Sequence, residues 1–435
     1  MADIEIGFAG IGLLLVLLAF RVPIGFSLFG VAVIGLSLAK GPDVAISLVQ
    51  IEPFHFAAHW SFSAIPMFIL MGCIAQHTRL ASELFHAARL WLISVPGGLA
   101  VAANFSCAGF AAASGSSLAT AATMGRITIP EMLNAKYEKG LASGVVASAG
   151  TVGNMIPPSI TFIIYGIFAE VSVTKLFMAG ILPGLLTVGV YTFMIVTRCW
   201  LNPSLAPRIE LDVTWSMRFK SIMPIWPIFI LIASLLTGFA FGIITATEGG
   251  AFGAMVIFII TSLQGRMSVD VFKKSLLDTL VSTTSLLWIA VGAIMFTRFL
   301  AITGTTEAIS DLATIWVGGQ LSAVIFAMVI FLILGMFLDP LGILLLTLPI
   351  MLPIFRGLEM NLIWTGVLVV KFIEIGLLTP PVGMNVYAIK NVVGDTIKLG
   401  TIFKGTVWFL GCEVIVVALL IFVPIISLFI PNLYG

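Results

Sequence analysis

The sequence predicts an all-α polytopic membrane protein made of two inverted structural repeats, each with a re-entrant helical hairpin and a Pro-Pro-broken span. Three observations carry that expectation. Of 435 residues, 60% are hydrophobic and only 9% charged, with a mean hydropathy of +1.17, whereas a soluble domain carries about 25% charged residues. Two apolar stretches, 97–130 and 320–354, are interrupted in the middle, at Ser114–Ser117 and at Asp339-Pro340. A shift of 223 residues then places Pro157-Pro158 on Pro380-Pro381, Gly153 on Gly376, Pro130 on Pro353, Ile127 on Ile350 and the hairpin break at Ser116 on Asp339.

A membrane-spanning helix needs about 20 apolar residues. Taken in order, the expected spans are 4–20, 24–39, 61–78, 137–168, 175–200, 221–240, 243–263, 280–303, 360–389 and 405–430. Asp3 and Glu5 precede the first apolar run without the basic start or small-residue cleavage pattern of a signal peptide, so the chain reads as mature from Met1. The first repeat covers 1–205: scaffold spans within 4–78, a basic amphipathic surface helix at 79–96, the hairpin 97–130, the broken span 137–168 and the span 175–200. A cytoplasmic connector at 206–220 follows. The second repeat covers 221–435, with spans in 221–263, a surface helix at 266–279, the span 280–303, the hairpin 320–354, the broken span 360–389 and the last span 405–430.

Charge tests this arrangement. With the N-terminus outside, all but Lys40, Lys175, Arg298, Arg356 and Lys371 of the 21 basic residues fall on the inner side, Arg21 among them. That bias favours the orientation over its reverse. Both termini then lie outside, and the two hairpins open to opposite sides, which makes the halves inverted. Inverted halves with an interrupted segment near the midplane are the construction of a secondary transporter. One Pro-Pro kink alone would be ordinary packing; two at the same offset from two hairpin tips are not.

Several function classes drop out. A formal net charge of +1 offers nothing to nucleic acid. No phosphate-binding Gly-Lys-Ser/Thr loop, no His beside a nucleophile and no metal-ligand spacing is present. Cys73, Cys107, Cys199 and Cys412 are scattered and read as small apolar residues. Without ATP hydrolysis, uphill work has to come from an ion gradient.

The broken segments supply the chemistry. Pro157 and Pro158 donate no N–H, so carbonyls a turn earlier lose their partners. A hard cation such as sodium suits those oxygens. Ser114, Ser116, Ser117 and Thr120 approach the break from the first hairpin, and Gly153 and Asn154 belong to the break itself. In the second half, Gly335 to Asp339 face Gly376, Thr379 and the carbonyls up to Val382. Half-helix N-termini near Ser117 and Pro158 direct partial positive charge at an anion. Thr123 and Ser148 read as packing hydroxyls. Asp339 is either a cation ligand or the cap of a half-hairpin. Lys371 and Glu374, one turn apart, form a candidate intramembrane pair: either a self-neutralising clamp on the broken span or a group that meets substrate. Thr247-Glu248-Gly249-Gly250 reads as an interfacial cap with close packing, and Arg298 as a snorkelling side chain.

Four motifs, Ser114-Gly-Ser-Ser-Leu-Ala-Thr120, Asn154-Met-Ile-Pro-Pro-Ser-Ile160, Lys175-Leu-Phe-Met-Ala-Gly-Ile-Leu-Pro-Gly184 and Gly376-Leu-Leu-Thr-Pro-Pro-Val-Gly-Met-Asn385, resemble the large membrane subunit of TRAP transporters, the DctM-like family. The resemblance covers essentially the whole chain; one departure is Ala246, where the family usually has Pro before Thr-Glu. It implies a sodium-driven, ATP-independent importer of a small organic acid in a bacterial inner membrane, working as an elevator. It also implies a separate small four-helix membrane subunit and a periplasmic substrate-binding protein. Two sodium sites follow: one at Ser114, Ser116 and Ser117 with Gly153, Asn154 and Pro157, the other among Gly335, Asp339, Gly376, Thr379 and Val382. Substrate is expected between the hairpin tips, at Ser116, Ser117, Thr120, Ser159 and Asn385. A stand-alone sodium/divalent-anion symporter shares these features without the partners and is the alternative; a channel-like or scaffolding component is the reading from another class.

Overall fold

The computed structural model describes residues 3–20, 22–209 and 213–433; Arg21 and residues 210–212 of the expected connector lie outside them. The described residues form helices and turns without a β-strand. α1 (Asp3–Ala19), α2 (Ile24–Lys40) and α3 (Pro42–Ala57) open the chain. Pro42 starts α3 at a position where no N–H is needed. α4 (Ala64–His77) leads to α5 (Leu80–Leu92), whose Leu80, Leu84, Phe85 and Leu90 face inward while Glu83 and Arg89 reach Arg266 at 2.7 Å and Glu131 at 2.8 Å.

The first hairpin is α6 (Gly98–Ser114) and α7 (Ser117–Asn134). The first broken segment is α8 (Lys139–Thr151), a 3-10 turn at Val152–Asn154, and α9 (Ile160–Ala169); α10 (Val173–Leu201) then runs 29 residues. Next come α11 (Trp215–Ile222), α12 (Trp226–Ala240), α13 (Ala246–Leu263), α14 (Val269–Ile302) and α15 (Thr305–Val317). The second hairpin is α16 (Gln320–Gly335) and α17 (Pro340–Gly357). The second broken segment is α18 (Leu362–Gly376) and α19 (Met384–Val393). α20 (Leu399–Phe422) and α21 (Ile425–Leu433) close the chain.

Seven helical stretches among the described residues are long and apolar enough to cross a bilayer: 60–77, 173–201, 215–240, 246–263, 269–302, 340–357 and 399–422. The rest of the apolar sequence is in shorter or interrupted helices. Four details differ from the sequence expectation. The surface helix expected at 266–279 is no separate element, because nothing between the Ser268 cap and Ile302 breaks the helix and α14 runs through as 34 residues. The last span, 405–430, divides into α20 and α21 around Pro424, which has no N–H to continue the ladder. The connector contributes its last residues to α11. The helices α3 and α15 lie between expected spans and were not anticipated. The Thr245–Glu248 region is a full capping box at the start of α13, and a Cβ on Gly249 would lie 2.5 Å from the Phe239 ring.

Two groups of helices emerge from the packing. α2, α4, α13 and α14 pack on one another, while α7, α8, α19 and α20 form a second group that α6 joins. α8 and α20 touch backbone to backbone: a Cβ on Gly405 would overlap the carbonyl of Gly140, and one on Gly144 would lie 2.6 Å from the Gly405 carbonyl carbon. Small residues at such a crossing replace side-chain interdigitation with direct van der Waals contact. Gly405→Val therefore separates the two helices and lowers stability by about 3 kcal/mol, read as a fall in the thermal unfolding midpoint in detergent; an unchanged midpoint contradicts this packing.

Candidate functional site

The tip of the first hairpin is a three-residue reversal. α6 ends at Ser114, Gly115 turns at φ 61, and Ser116 is extended as the cap of α7, accepting from the Ala119 N–H at 3.5 Å. Gly115 is required twice over: its φ is left-handed, and a Cβ there would lie 2.9 Å from the Pro158 carbonyl oxygen. The Ser114 and Thr120 hydroxyls are 2.7 Å apart across the tip.

The first break is seated directly on this tip. The Asn154 side chain accepts from the Ser117 N–H at 3.4 Å and donates to the Ser117 hydroxyl at 3.3 Å. A Cβ on Gly153 would lie 3.1 Å from the Ser116 carbonyl oxygen, so the 3-10 turn and the tip backbone lie side by side. The cis Pro157-Pro158 peptide follows, and Ser159 caps α9 by accepting from Phe162 N–H at 3.4 Å. Ser114, Ser116, Ser117, Gly153, Asn154 and Pro157 thus gather in one place, rich in hydroxyls and carbonyls.

The second half has its own version. α16 ends at Gly335 and α18 at Gly376, and a Cβ on either glycine would lie 2.6 to 2.8 Å from the other's Cα. The Met336 carbonyl accepts from Gly383 N–H at 3.1 Å, tying the hairpin to the far side of the break, and Pro380-Pro381 is cis. Asp339 caps α17, accepting from Gly342 N–H at 3.0 Å, which satisfies the capping alternative. The Thr379 hydroxyl donates to the Ile375 carbonyl at 2.7 Å and keeps its lone pairs. Val382 lies in the break, partly buried.

A cavity of about 410 Å³ opens at the first tip. Ser114, Ser116 and Ala119 border it, with Ile160 from α9, Gly72, Cys73 and Gln76 from α4, Asp278 and Ser282 from α14, and Leu341 from the start of α17. Of the five residues expected at the substrate, only Ser116 borders this space. Ser117 and Thr120 are buried behind the tip, and Ser159 is buried at its cap. Asn385 faces away as well: it is buried on α19, donating to the Ala147 carbonyl of α8 at 3.2 Å. The hydroxyl-counting that selected these residues cannot distinguish a wall from the layer behind it. Gln76 and Asp278 were missed, the latter because 266–279 was read as lying on the surface. Asp278 meets His77 at 2.9 Å at the cavity's edge.

Lys371 and Glu374 are both fully buried and border none of the cavities described. Lys371 donates to Glu374 at 3.0 Å, to Glu413 of α20 at 3.0 Å and to the Thr187 hydroxyl of α10 at 2.9 Å. Tyr191 of α10 also donates to Glu413. The expected pair is therefore a cluster that clamps α18 to α10 and α20, one helix turn before the Gly376 break. Glu413 had a signal: it is an isolated carboxylate inside the apolar run 405–430.

Interrupted helices, hairpin tips seated on the interruptions and a polar-edged cavity between helix groups define a multi-pass membrane transport subunit rather than a soluble binding module. Comparison with known proteins makes this specific. Residues 11–426 match the family described as "Tripartite ATP-independent periplasmic transporter, DctM component". The chain is 34% identical over 405 residues to the C4-dicarboxylate TRAP transporter large permease protein DctM of Pseudomonas aeruginosa, covering 92% of each chain. It is 27% identical to the sialic acid TRAP transporter large permease protein SiaM of Vibrio cholerae, covering 95% of each. In fold it resembles the YdaH transporter of Alcanivorax borkumensis, with TM-score 0.60, 12% identity and 87% and 89% coverage. The chain belongs to the DctM family of TRAP transporter large permease subunits; its relatives are permeases and not enzymes.

Two outcomes follow from this geometry. Lys371→Met leaves two buried carboxylates without a counter-charge and destabilises by about 3–5 kcal/mol. The triple variant K371M/E374Q/E413Q recovers most of that loss in thermal unfolding; equal destabilisation of both contradicts the clamp. Asn154→Ala strands the Ser117 N–H and removes the donor to the Ser117 hydroxyl, costing about 1–3 kcal/mol, measured in the same assay; a neutral result removes Asn154 from the tip.

Proposed function

We propose that this chain is the transport subunit of a tripartite importer in a bacterial inner membrane, driving a small organic acid inward with a sodium gradient. The observation that carries the reading is the seating of the Ser114–Ser117 tip on the 152–159 break, beside a cavity that also touches Leu341, next to the tip of the second hairpin. Backbone oxygens at an interruption, backed by hydroxyls and carrying no net charge, suit sodium better than a divalent ion. One sodium would be held by the oxygens of Ser114, Ser116, Ser117 and the residues from Gly153 to Pro157. A second would be held near Gly335, Gly376, Thr379 and Val382, where two helix ends meet with only glycine between them. The acid would bind in the cavity at Ser116, where the N-terminal end of α7 offers partial positive charge.

The grouping of helices supports an elevator. The tips and breaks pack with one another, whereas α2, α4, α13 and α14 form a separate frame, and the cavity lies between the two. A small four-helix membrane subunit would pack beside that frame, and a periplasmic binding protein would deliver the acid, with both termini of this chain periplasmic. The names of relatives point to the substrate class: C4-dicarboxylates for the Pseudomonas aeruginosa protein and sialic acid for the Vibrio cholerae one. Both are organic anions.

Reconstitution with the two partners tests this reading. Uptake of the acid carried by the binding protein is expected only with an inward sodium gradient and only with that protein present. Replacing sodium by potassium without effect rejects sodium coupling; uptake without the binding protein favours the stand-alone symporter. Ser116→Leu fills the cavity and lowers uptake by at least about 100-fold while co-purification of the small subunit is retained; normal uptake by that variant moves the substrate site elsewhere.

A further inference from the structure

The helices α9, α14 and α17 border space at both of their ends. At one end Ile160, Asp278 to Leu286 and Leu341 border the hairpin-tip cavity. At the other end Gly166 to Val171, Ile294 to Arg298 and Leu348 to Arg356 border a second crevice, to which α3 adds Glu52, His55 and Phe56. This crevice has two lobes, of about 570 and 290 Å³, which share Phe56, Ile167, Glu170, Ile294 and Arg298. From Leu286 to Ile294 the two spaces are about 12 Å apart along α14, and the intervening residues Ala290 and Ala293 are buried. The seam is plugged between two openings.

Two guanidinium groups and two carboxylates border this crevice: Arg298 and Glu170 both lobes, Arg356 the smaller one and Glu52 the larger. Glu52 meets Arg298 at Nε, 2.9 Å away, which orients the guanidinium. Arg356 is held by the Ala169 carbonyl at 3.0 Å, while its carboxylate neighbour Glu170 is 3.7 Å away and 82% exposed. An exposed pair of that length contributes little, so an incoming carboxylate able to bind a guanidinium bidentately displaces it readily. The sequence-based orientation places Arg298 and Arg356 on the outer side, where a delivered acid arrives.

We propose that the crevice between α3, α9, α14 and α17 is a receiving site for small organic carboxylates, held by Arg298 and Arg356, at the opposite end of one helix seam from the hairpin-tip cavity. This rests on the importer reading above. The acid waits there until movement of the hairpin body against the frame brings the Ser116 site to it. Arg298, expected from the sequence to snorkel, takes a binding role in this arrangement, and the acid's carboxylate replaces Glu170 beside Arg356.

Thiol labelling tests the site without transport. Ser61 borders the larger lobe, and Ser61→Cys is nearly isosteric. The full chain carrying it, reconstituted in liposomes, is treated with sulfonatoethyl methanethiosulfonate, an anion, and with its trimethylammonioethyl counterpart, a cation, and the rates are corrected for the parent chain. The anionic reagent is expected to react at least about fivefold faster than the cationic one after normalisation to a free thiol, because a focused positive potential raises the local anion concentration. In the R298Q/R356Q background that preference disappears, and in R298K/R356K it returns in part. Succinate at millimolar concentration, against chloride at equal ionic strength, slows labelling of the Ser61→Cys chain and leaves R298Q/R356Q unaffected. A cationic preference, a preference insensitive to the two arginines, or no slowing by succinate overturns the proposal. Absence of sodium-driven uptake would instead sink the importer reading and leave the labelling result standing.

Discussion

An interrupted backbone inside a bilayer must have its polar groups satisfied by protein, since lipid offers no partner. The rest of this structure depends on how that requirement is met. Each break is covered by a hairpin tip: Ser117 and Asn154 bond to one another at the first, and the Met336 carbonyl takes the Gly383 N–H at the second. The glycines Gly115, Gly153, Gly335 and Gly376 let these backbones approach to distances that any side chain would prevent. Hairpins and breaks are therefore not independent elements. Each completes the other, and oxygens that would be a liability in lipid are brought together there.

The buried charges serve the same geometry from behind. Lys371 reaches three helices at once, and Glu413, Thr187 and Tyr191 surround it without any route to the cavities described. Such a cluster is a weak source of net stability, because taking each charge out of water is expensive. Its worth is directional: it sets the rotation and depth of α18, and hence where the carbonyls near Gly376 point. The glycine crossing of α8 on α20 holds the neighbouring half of the second helix group in a similar way, by contact in place of charge.

The cavity at Ser116 and the crevice at Arg298 lie on the same three helices, separated by a short plug of small and apolar residues. The residues that border both spaces belong to α9, α14 and α17.

Much of this was legible in the sequence for a physical reason. Spans, hairpins and Pro-Pro breaks are set by local chemistry: apolar length, missing N–H groups and small residues all act within a few positions of where they stand. The family followed from motifs of the same local kind. What the chain order could not reveal was facing. Ser117, Thr120, Ser159 and Asn385 have polar side chains suited to a cavity wall, yet they are buried and do not border the cavity at Ser116, because a helix rotation of one residue decides between lining and core. The union of Glu413 with Lys371, the continuation of 266–279 into a single helix that carries Asp278 to the cavity, and the meeting of Arg298 and Arg356 across a lobe all join residues distant in sequence. Sequence by itself determined where the backbone breaks and which atoms that leaves without partners; only the tertiary structure decided which helices meet there, because that choice is made by packing between segments hundreds of residues apart.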